Sequence, residues 1–384
     1  MPGPSRHGGQ ILVDALRING VTRVFCVPGE SYLAALDGLH ESGIETIVTR
    51  HESGAAMMAE AHGKMTRRPG IALVTRGPGA TNAASGIHVA KQDSTPMVML
   101  VGQIGRAMRG REAFQEVDYR QTFRDLTKWV EEIDDPARIP EVMAHAWHVA
   151  LSGRPGPVVL ALPEDMLREV AEEAAGPRVE VADPAPSPAA MVRFEAMLRE
   201  AESPVMVLGG SRWTPEAVTL AERFAESWDI PVGTSFRRQM LFDHRHPNYA
   251  GDVGLGINPA LKKRLAESDL IILLGARFSE NPSQGFTLLS IPQPAQRLVH
   301  VHPGPEEIGR IYTPDLPVNA TPGAFLEAAA ALTPPGASRG RAAEAHASWE
   351  GWSVPPAPPP GEGVDLGAVV AHLGETCGDR KSVV

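Results

Sequence analysis

Short apolar runs alternate with longer segments of helical periodicity along the first 175 residues. The runs are RVFCV at 23–27, ETIVT at 45–49, IALVT at 71–75, MVMLV at 97–101 and PVVLAL at 157–162. Strands separated by helices in this way predict a mainly parallel sheet with helices on both faces. In such a doubly wound sheet the ligand crevice lies beyond the carboxyl ends of the strands.

The same alternation returns in the second half of the chain. Its apolar runs are VMVLGG at 205–210, PVGTS at 231–235, LIILLGA at 270–276 and RLVHVH at 297–302. Two stretches, 176–190 and 333–363, contain closely spaced prolines, which interrupt both helices and central strands. We predict that the first is a linker between domains and that the second is an extended spacer. The predicted fold is α/β, with two doubly wound domains at 1–175 and 190–332 and a short C-terminal stub at 364–384.

Composition narrows the possible partners. The chain has 384 residues, 43% of them hydrophobic and 21% charged, as in an ordinary globular protein. A net charge of −10 argues against binding to nucleic acid, and no apolar run is long enough to span a membrane. Two cysteines are too few for a disulfide framework or a zinc cluster, which favours a reducing cytoplasm.

The residues that follow the first three strands are the candidates for chemistry. They are Pro28-Gly29-Glu30, Arg50-His51-Glu52 and Gly77-Pro78-Gly79, the last continuing to Asn82. Glycine at such turns allows a backbone to approach a ligand closely. A structural role is also open: the helix dipole favours an acid such as Glu52 in a first turn, and Gly-Pro-Gly can be a simple turn.

Two common nucleotide-binding patterns are missing. Neither domain has Gly-x-Gly-x-x-Gly after a strand, because Gly209-Gly210 is followed by Ser211-Arg212-Trp213. No Gly-Lys-Ser or Gly-Lys-Thr follows a strand either. The sequence therefore disfavours a nicotinamide-dependent dehydrogenase and a Walker-type nucleotidase.

The order of several motifs resembles the thiamine-diphosphate-dependent enzymes of the acetolactate synthase group. The motifs are Pro28-Gly29-Glu30, Arg50 to Ala56, Gly77 to Asn82, Ala113-Phe114-Gln115-Glu116, Gly153 to Pro157, Gly275 to Phe278 and Pro305 to Gly309. Several motifs in one order over about 300 residues are far more specific than any single motif.

The resemblance implies a pyrimidine-binding domain at 1–175 and a central domain at 190–332. Glu52 would hydrogen-bond the aminopyrimidine ring of thiamine diphosphate and assist proton relay within the cofactor. The resemblance places four residues in the cofactor pocket, Pro28, Gly29, Pro78 and Asn82, and two near the substrate, Phe114 and Gln115. It implies carboligation or decarboxylation of a 2-keto acid, with pyruvate the leading donor, in a homodimer or tetramer whose sites lie between chains.

The sequence departs from the family in its metal-binding and FAD-binding residues. Relatives hold Mg²⁺ and the cofactor's diphosphate with a Gly-Asp-Gly motif in a third domain, and Gly251-Asp252-Val253 and Gly378-Asp379-Arg380 both lack the second glycine. No metal ligand is therefore assigned. Where relatives that hold FAD carry acids, this chain has Ser279, His302 and Gly304, which disfavours FAD.

Without those ligands we expect the chain to hold the cofactor weakly and to be inactive alone. Its third domain would then be truncated or supplied by a separate polypeptide. Three other functions stay open: a non-catalytic partner of a full-length thiamine enzyme, another decarboxylase or lyase of the same family, and a nucleotide-dependent α/β enzyme that uses the second domain.

Overall fold

The computed structural model describes residues 5–174, 176–336, 339–354 and 363–377. The strands are β1 Arg6–His7, β2 Arg23–Cys26, β3 Glu45–Val48, β4 Gly70–Val74, β5 Met97–Gln103, β6 Trp129–Glu132, β7 Pro157–Pro163, β8 Val170–Ala171, β9 Pro204–Leu208, β10 Val232–Ser235, β11 Tyr249–Val253, β12 Leu270–Leu274, β13 Arg297–His302 and β14 Leu316–Asn319. The helices are α1 Gly8–Ile18, α2 Leu33–Leu39, α3 Glu52–Thr66, α4 Pro78–Asn82, α5 Ala84–Asp93, α6 Tyr119–Phe123, α7 Ile139–Leu151, α8 Glu164–Arg168, α9 Pro188–Glu200, α10 Pro215–Trp228, α11 Pro259–Glu267, α12 Pro322–Ala329, α13 Arg341–Ser353 and α14 Leu366–Thr376.

The first domain is built on a six-stranded sheet of order β3-β2-β4-β5-β7-β6, in which every pair of neighbours is parallel. The strand order reverses between β2 and β4, so these two strands flank the switch point. β1 and β8 form a separate antiparallel pair that joins the two ends of the domain. The predicted doubly wound parallel sheet is confirmed.

Alternate residues of each strand pack against opposite helical layers. Val98 and Leu100 of β5 belong to a core with α1, α2 and α7, whereas Met97, Met99 and Val101 belong to a core with α3 and α5. Since side chains alternate across a strand, continuous apolar runs such as MVMLV indicate burial on both faces. The run of small residues in α3 lets this helix lie close to the sheet.

The second domain repeats this architecture. Its six-stranded parallel sheet has the order β11-β10-β9-β12-β13-β14, with the switch point between β9 and β12. One face packs on α9, α10 and α12, and the other packs on α11 and α13. The prediction of a second parallel-sheet domain is also confirmed.

The spacer predicted at 333–363 contains a packed helix. Residues 341–353 form α13, whose Ala342 and Ala345 are buried, and His346 Nδ1 lies 2.9 Å from the carbonyl oxygen of Tyr249 in β11. The prediction of an extended conformation is wrong for this part, because prolines are absent from it and its small apolar residues find a surface on the sheet. The proline-rich run 355–362 lies outside the described residues.

The linker predicted at 176–190 joins both domains and ends where α9 begins at Pro188. Val179 N donates to Asn19 Oδ1 at 3.0 Å in the first domain, and Thr321 N of the second domain donates to Pro184 O at 2.9 Å. These bonds attach the linker to each domain in turn. The exact domain boundaries stay a prediction.

Direct contacts also hold the two domains together. Arg154 Nη1 lies 2.8 Å from Glu307 Oε1, and both side chains are largely buried. Arg238 Nη2 donates to Asp93 O at 2.7 Å, and Ser211 Oγ donates to Ser94 O at 2.7 Å. Charged hydrogen bonds in buried surroundings give this contact a defined geometry.

Beyond the second domain the structure describes the tail helix α14. Leu366, Val369, Val370 and Leu373 repeat at helical spacing and are all exposed. The predicted stub at 364–384 is thus helical over 366–376, while residues 378–384 lie outside the described part of the chain. Among the described helices, none combines the length and apolar character needed to cross a bilayer.

Candidate functional site

The crevice at the switch point of the first sheet collects most of the residues that the sequence predicted. Gly29 and Glu30 follow β2, and Thr75 to Gly79 follow β4, so both segments lie at the carboxyl edge of the sheet. Glu52 follows β3, the neighbour of β2. Ligands of doubly wound sheets bind in this position.

Glu52 is the first residue of α3. His51 precedes it in an extended conformation, and its Nδ1 accepts a hydrogen bond from Ser53 N at 3.2 Å, which starts the helix. The Glu52 carboxylate is partly exposed, and its Oε2 accepts a hydrogen bond from Asn82 Nδ2 at 3.0 Å. Within the described residues it takes part in no ion pair, so its second oxygen remains available for a ligand.

Two glycines allow the backbone to pack closely at this crevice. A Cβ on Gly79 would lie 3.3 Å from Glu52 Oε1 and 2.8 Å from Thr75 Cγ2. A Cβ on Gly29 would come within 2.5 Å of Thr75 Cβ. Side chains at these positions would crowd Thr75 and the free oxygen of Glu52, so glycine is required by close approach as well as by the turn.

An arginine that the sequence analysis did not select fixes the ends of three strands. Arg76 lies after β4, and its guanidinium bonds Glu164 after β7 at 3.0 Å and Glu30 after β2 at 3.2 Å. The side chain is nearly buried, and its Nε has no hydrogen-bond partner among the described residues. Its partners are far away in sequence, so no local pattern could have identified this role.

The turn after Arg76 is held from two sides. Gly77 has a φ of +60° and donates its N–H to Tyr119 Oη at 2.8 Å. A Cβ on Gly77 would lie 2.8 Å from Gln115 Cβ, which places the 113–116 loop directly against the turn. Burial raises the pKa of Tyr119 to about 12, so its hydroxyl stays protonated at neutral pH.

The 113–116 loop brings the predicted substrate residues to the rim. Glu116 accepts hydrogen bonds from Gly110 N at 2.7 Å and Ala113 N at 3.0 Å, and these backbone donors lower the pKa of its carboxyl group. Phe114 is highly exposed, and Gln115 has a φ of +65°. The loop therefore presents an apolar ring to solvent beside the crevice.

Tyr32 packs beneath the same crevice. Its hydroxyl donates to the carbonyl of Val27, and burial, followed by the nearby Cys26 and Glu52, raises the pKa of the phenol. Tyr32 was not among the predicted site residues, because an aromatic residue early in a helix usually signals packing. Here it supports the segment that carries Pro28 and Gly29.

The structure thus brings most of the predicted cofactor residues to one crevice. Glu52 bonds Asn82 directly, Pro78 begins the helix between them, and Gly29 faces them across Thr75. Pro28 is exposed at the outer edge. The contacts between these residues and a ligand remain predictions, as do the substrate roles of Phe114 and Gln115.

Two family descriptions match this chain. Residues 6–122 match "Thiamine pyrophosphate enzyme, N-terminal TPP binding domain", and residues 193–329 match "Thiamine pyrophosphate enzyme, central domain". The chain belongs to the thiamine-pyrophosphate enzyme family and carries its N-terminal and central domains. The first matched segment contains β2 to β5 of the first parallel sheet and ends before β6, and the second contains all six strands of the second parallel sheet.

Within this family the chain is related to acetolactate synthases. It is 32% identical over 81% of its length to the "Probable acetolactate synthase large subunit" of Methanocaldococcus jannaschii, of which it covers 53%. It is 32% identical over 81% of its length to the large subunit of Corynebacterium glutamicum, covering 50%, and 31% identical over 79% to isozyme 2 of Escherichia coli, covering 55%. The chain thus spans about half the length of these relatives.

The crevice fits the pyrimidine end of thiamine diphosphate. It offers a carboxylate with one free oxygen, an amide that orients this carboxylate, and two glycines whose lack of a side chain lets the strand-end segments pack closely around Thr75. The metal and the diphosphate would need a second set of residues. In the part of the chain that the structure describes, His, Cys, Asp and Glu form no group of three or more suited to a metal ion.

Proposed function

We propose that these 384 residues form the pyrimidine-binding and central portion of a thiamine-diphosphate-dependent enzyme acting on a 2-keto acid. The leading reaction is carboligation like that of acetolactate synthase, with pyruvate as the donor. The observation that carries the proposal is the Glu52 carboxylate at the switch point, oriented by Asn82 and free of any ion pair with a described residue. Family membership and the relatives' names support the choice of reaction class.

When bound, thiamine diphosphate supplies a nucleophilic carbon for attack on the carbonyl of the 2-keto acid. The protein's task is to hold the pyrimidine ring and to manage one proton. Asn82 occupies Glu52 Oε2, so Oε1 is the atom that holds or accepts the proton facing the ring. Gly79 has no side chain to crowd Oε1, from which a Cβ at this position would lie 3.3 Å away.

The arginine clamp defined by Arg76, Glu30 and Glu164 positions the turn that carries Gly79. It joins the ends of β2, β4 and β7, so the two walls of the crevice cannot separate without breaking charged hydrogen bonds. Pre-organisation of this kind reduces the cost of orienting a bound ring. We assign Arg76 a positioning role.

We further propose that Mg²⁺ and the diphosphate are held by residues outside this sequence, in a longer chain or a separate one. The sequence contains no Gly-Asp-Gly motif. A doubly charged diphosphate contributes much of the cofactor's binding through its metal. These residues by themselves should therefore bind the cofactor weakly and show no turnover.

A second copy of the chain is the proposed partner at the rim. Leu33 at the start of α2, Val48 at the end of β3 and Met57 and Met58 in α3 are exposed apolar side chains on elements that surround Glu52. Apolar side chains grouped on the elements of one site are typical of interaction surfaces. A homodimer would cover them and enclose the crevice.

The activity is tested on a tagged copy purified under native conditions from the source organism, together with whatever chain binds to it. We expect release of carbon dioxide from pyruvate that requires thiamine diphosphate and Mg²⁺, with acetolactate as the product. The Glu52→Gln variant should lose at least about 99% of this activity, since proton transfer contributes about 10²-fold or more. The matched variant Glu172→Gln, at an exposed glutamate outside the crevice, should keep it.

Either of two results would contradict the proposal. Full activity of Glu52→Gln would show that the reaction does not need this carboxylate. Turnover by the 384-residue chain alone would show that it holds the diphosphate without residues from elsewhere.

A further inference from the structure

A cavity lies at the edge of the first sheet opposite the pyrimidine crevice. It has a volume of about 240 Å³ and is lined by the turn before β2, the end of α3, the turn before β4 and Trp147 of α7. The turns before β2 and β4 meet at the amino edge of the sheet, whereas Glu52 and its neighbours follow the strands. This amino-edge cavity therefore shares no residue with the proposed cofactor site.

The lining of the amino-edge cavity is cationic and contains no carboxylate. Its ionisable residues are Arg23, Arg68 and His62. Arg23 is balanced from outside the cavity, since its Nε donates to Glu45 Oε2 at 2.6 Å. Among the described residues, none accepts a hydrogen bond from the Arg68 guanidinium or forms an ion pair with it. The positive charge of Arg68 is therefore not balanced by a neighbouring carboxylate.

A second unpaired guanidinium comes from the linker that follows the first domain. Gly20, in the turn before β2, has a φ of +76°, and a Cβ on it would lie 3.5 Å from Arg68 Nη1 and 3.9 Å from Arg178 Nη2. Arg178 likewise has no side-chain partner in the part of the chain that the structure describes. Two positive charges thus converge over a residue without a side chain. Because like charges repel, an anion between them would stabilise this arrangement.

Hydrogen bonds hold the linker beside the amino-edge cavity. Asn19 is buried, its Nδ2 donates to Ala15 O at 2.9 Å, and its Oδ1 accepts from Val179 N at 3.0 Å. Because Val179 directly follows Arg178, these bonds fix the backbone that carries the second guanidinium. Such pre-organisation lowers the cost of bringing the two arginines together around a ligand.

Two ring nitrogens add hydrogen-bond donors to the lining. Trp147 is 2% exposed, and no described residue accepts a hydrogen bond from its indole N–H, although a buried indole usually has a partner. His62 packs edge-on against Phe25, and burial, followed by the nearby Arg23, lowers the pKa of His62. Its imidazole is thus mostly neutral above pH 7 and keeps one N–H to donate. An acceptor with several oxygens suits these donors.

We propose that the amino-edge cavity binds a phosphate group, either inorganic phosphate or that of a small phosphomonoester, between Arg68 and Arg178. Near neutral pH such a group carries almost two negative charges, which match the two unbalanced guanidinium groups. Planar guanidinium groups suit paired phosphate oxygens, and the Trp147 indole N–H donates to a further oxygen. The proposal does not depend on thiamine-diphosphate chemistry at Glu52.

Calorimetric titration of the 384-residue chain tests this site. Inorganic phosphate and glycerol 3-phosphate are titrated separately, at equal ionic strength set with potassium chloride, into the parent protein and four variants. The variants are Arg68→Gln, Arg178→Gln, Trp147→Phe and the control Arg223→Gln, at an exposed arginine of α10 outside the cavity. Arg68 and Arg178 are exposed and their guanidinium groups bond no described residue, so both glutamine variants should keep the Tm of the parent.

We expect one phosphate group per chain. The Kd should rise at least about tenfold in Arg68→Gln and in Arg178→Gln and about threefold in Trp147→Phe, and should stay unchanged in Arg223→Gln. The ligand that binds more tightly identifies the source of the phosphate group. Absence of saturable binding for both ligands, or a Kd unchanged in Arg68→Gln and Arg178→Gln, overturns the proposal.

Limited proteolysis provides an independent measurement, because trypsin cleaves after arginine and the bond between Arg178 and Val179 lies in the linker. Saturating phosphate should slow this cleavage at least about threefold in the parent, since a bound ligand holds the segment in its folded conformation. In Arg68→Gln, which keeps Arg178, the protection should be lost. Equal cleavage rates with phosphate and with potassium chloride of the same ionic strength would contradict the placement of the phosphate group at Arg178.

Discussion

The surroundings of Asp252, near the end of β11, disfavour the charged form of its carboxyl group. Burial raises its carboxyl pKa to about 6, although the hydrogen bond from Gln239 Nε2 at 2.9 Å favours the charged form. The folded state therefore binds this proton more tightly than the unfolded state, in which the pKa is about 3.9. The contribution of Asp252 to stability is fully present below pH 3.9 and is lost as the pH rises to 6.

Asp252→Asn should consequently stabilise the protein at neutral pH. We expect the free energy of unfolding at pH 7.5 to increase by about 2 kcal/mol, a value reduced from the full shift because the side chain is only partly buried. Urea unfolding at several pH values measures this. The difference between variant and parent should shrink toward pH 4, and a difference independent of pH would contradict the assignment.

At the level of single residues, the sequence predicted which candidate residues lie at one edge of the first sheet better than it predicted the residues that support them. Glu52, Gly29, Pro78 and Asn82 follow strands, and strand ends meet at one edge of a parallel sheet. Arg76, by contrast, acts through carboxylates that follow two other strands. Its role depends on which strands are neighbours, and this was not visible in any local pattern.

At the level of elements, the sequence predicted the central strands better than the strands at the sheet edges. The long apolar strands of both sheets were found, whereas β6, β11 and β14 were missed. β6 reads Trp-Val-Glu-Glu, β11 contains Gly and Asp, and β14 contains Pro, so none forms an apolar run. These strands lie at sheet edges, where one side lacks a partner and polar residues or proline are tolerated.

The arginine clamp should couple the ends of β4 and β7. In a double-mutant cycle of Arg76→Gln and Glu164→Gln we expect a coupling free energy of about 2 kcal/mol, because Arg76 is nearly buried and its bond to Glu164 is 3.0 Å long. Urea unfolding of the four proteins measures it. The matched exposed pair Lys263 and Glu267, at 3.9 Å, should show no resolvable coupling. Equal coupling free energies for the two pairs would contradict a structural role for the arginine clamp.

For the whole molecule, we expect the exposed apolar residues around Glu52 to be covered by a second copy of the chain. Met58→Glu introduces a charge into this surface and should raise the dimer dissociation constant at least about tenfold, since an unpaired charge is costly to bury. Sedimentation equilibrium measures the change. The control Met240→Glu, at an exposed methionine of the central domain, should leave the dimer intact. A parent chain that is monomeric at high concentration would contradict this expectation.

The two-domain organisation was predictable because each domain has its own series of apolar central strands, and a proline-containing segment separates the two series. The docking of the domains was not, because Arg154, Glu307, Arg238 and Asp93 form it from segments that look like ordinary charged loops. Helix α13 was not predictable either, because the burial of its small residues depends on packing against the distant second sheet. Long-range packing, rather than local propensity, determines these features.

The most direct test of the central claim is calorimetric titration of thiamine diphosphate into the parent chain, Glu52→Gln and Glu172→Gln. We expect weak, saturable binding to the parent and to Glu172→Gln, and an affinity at least about tenfold lower for Glu52→Gln, which cannot provide a charged acceptor at Oε1. Equal affinity of all three proteins, with a Tm unchanged by the substitution, would contradict the assignment of Glu52 as the residue that recognises the pyrimidine ring.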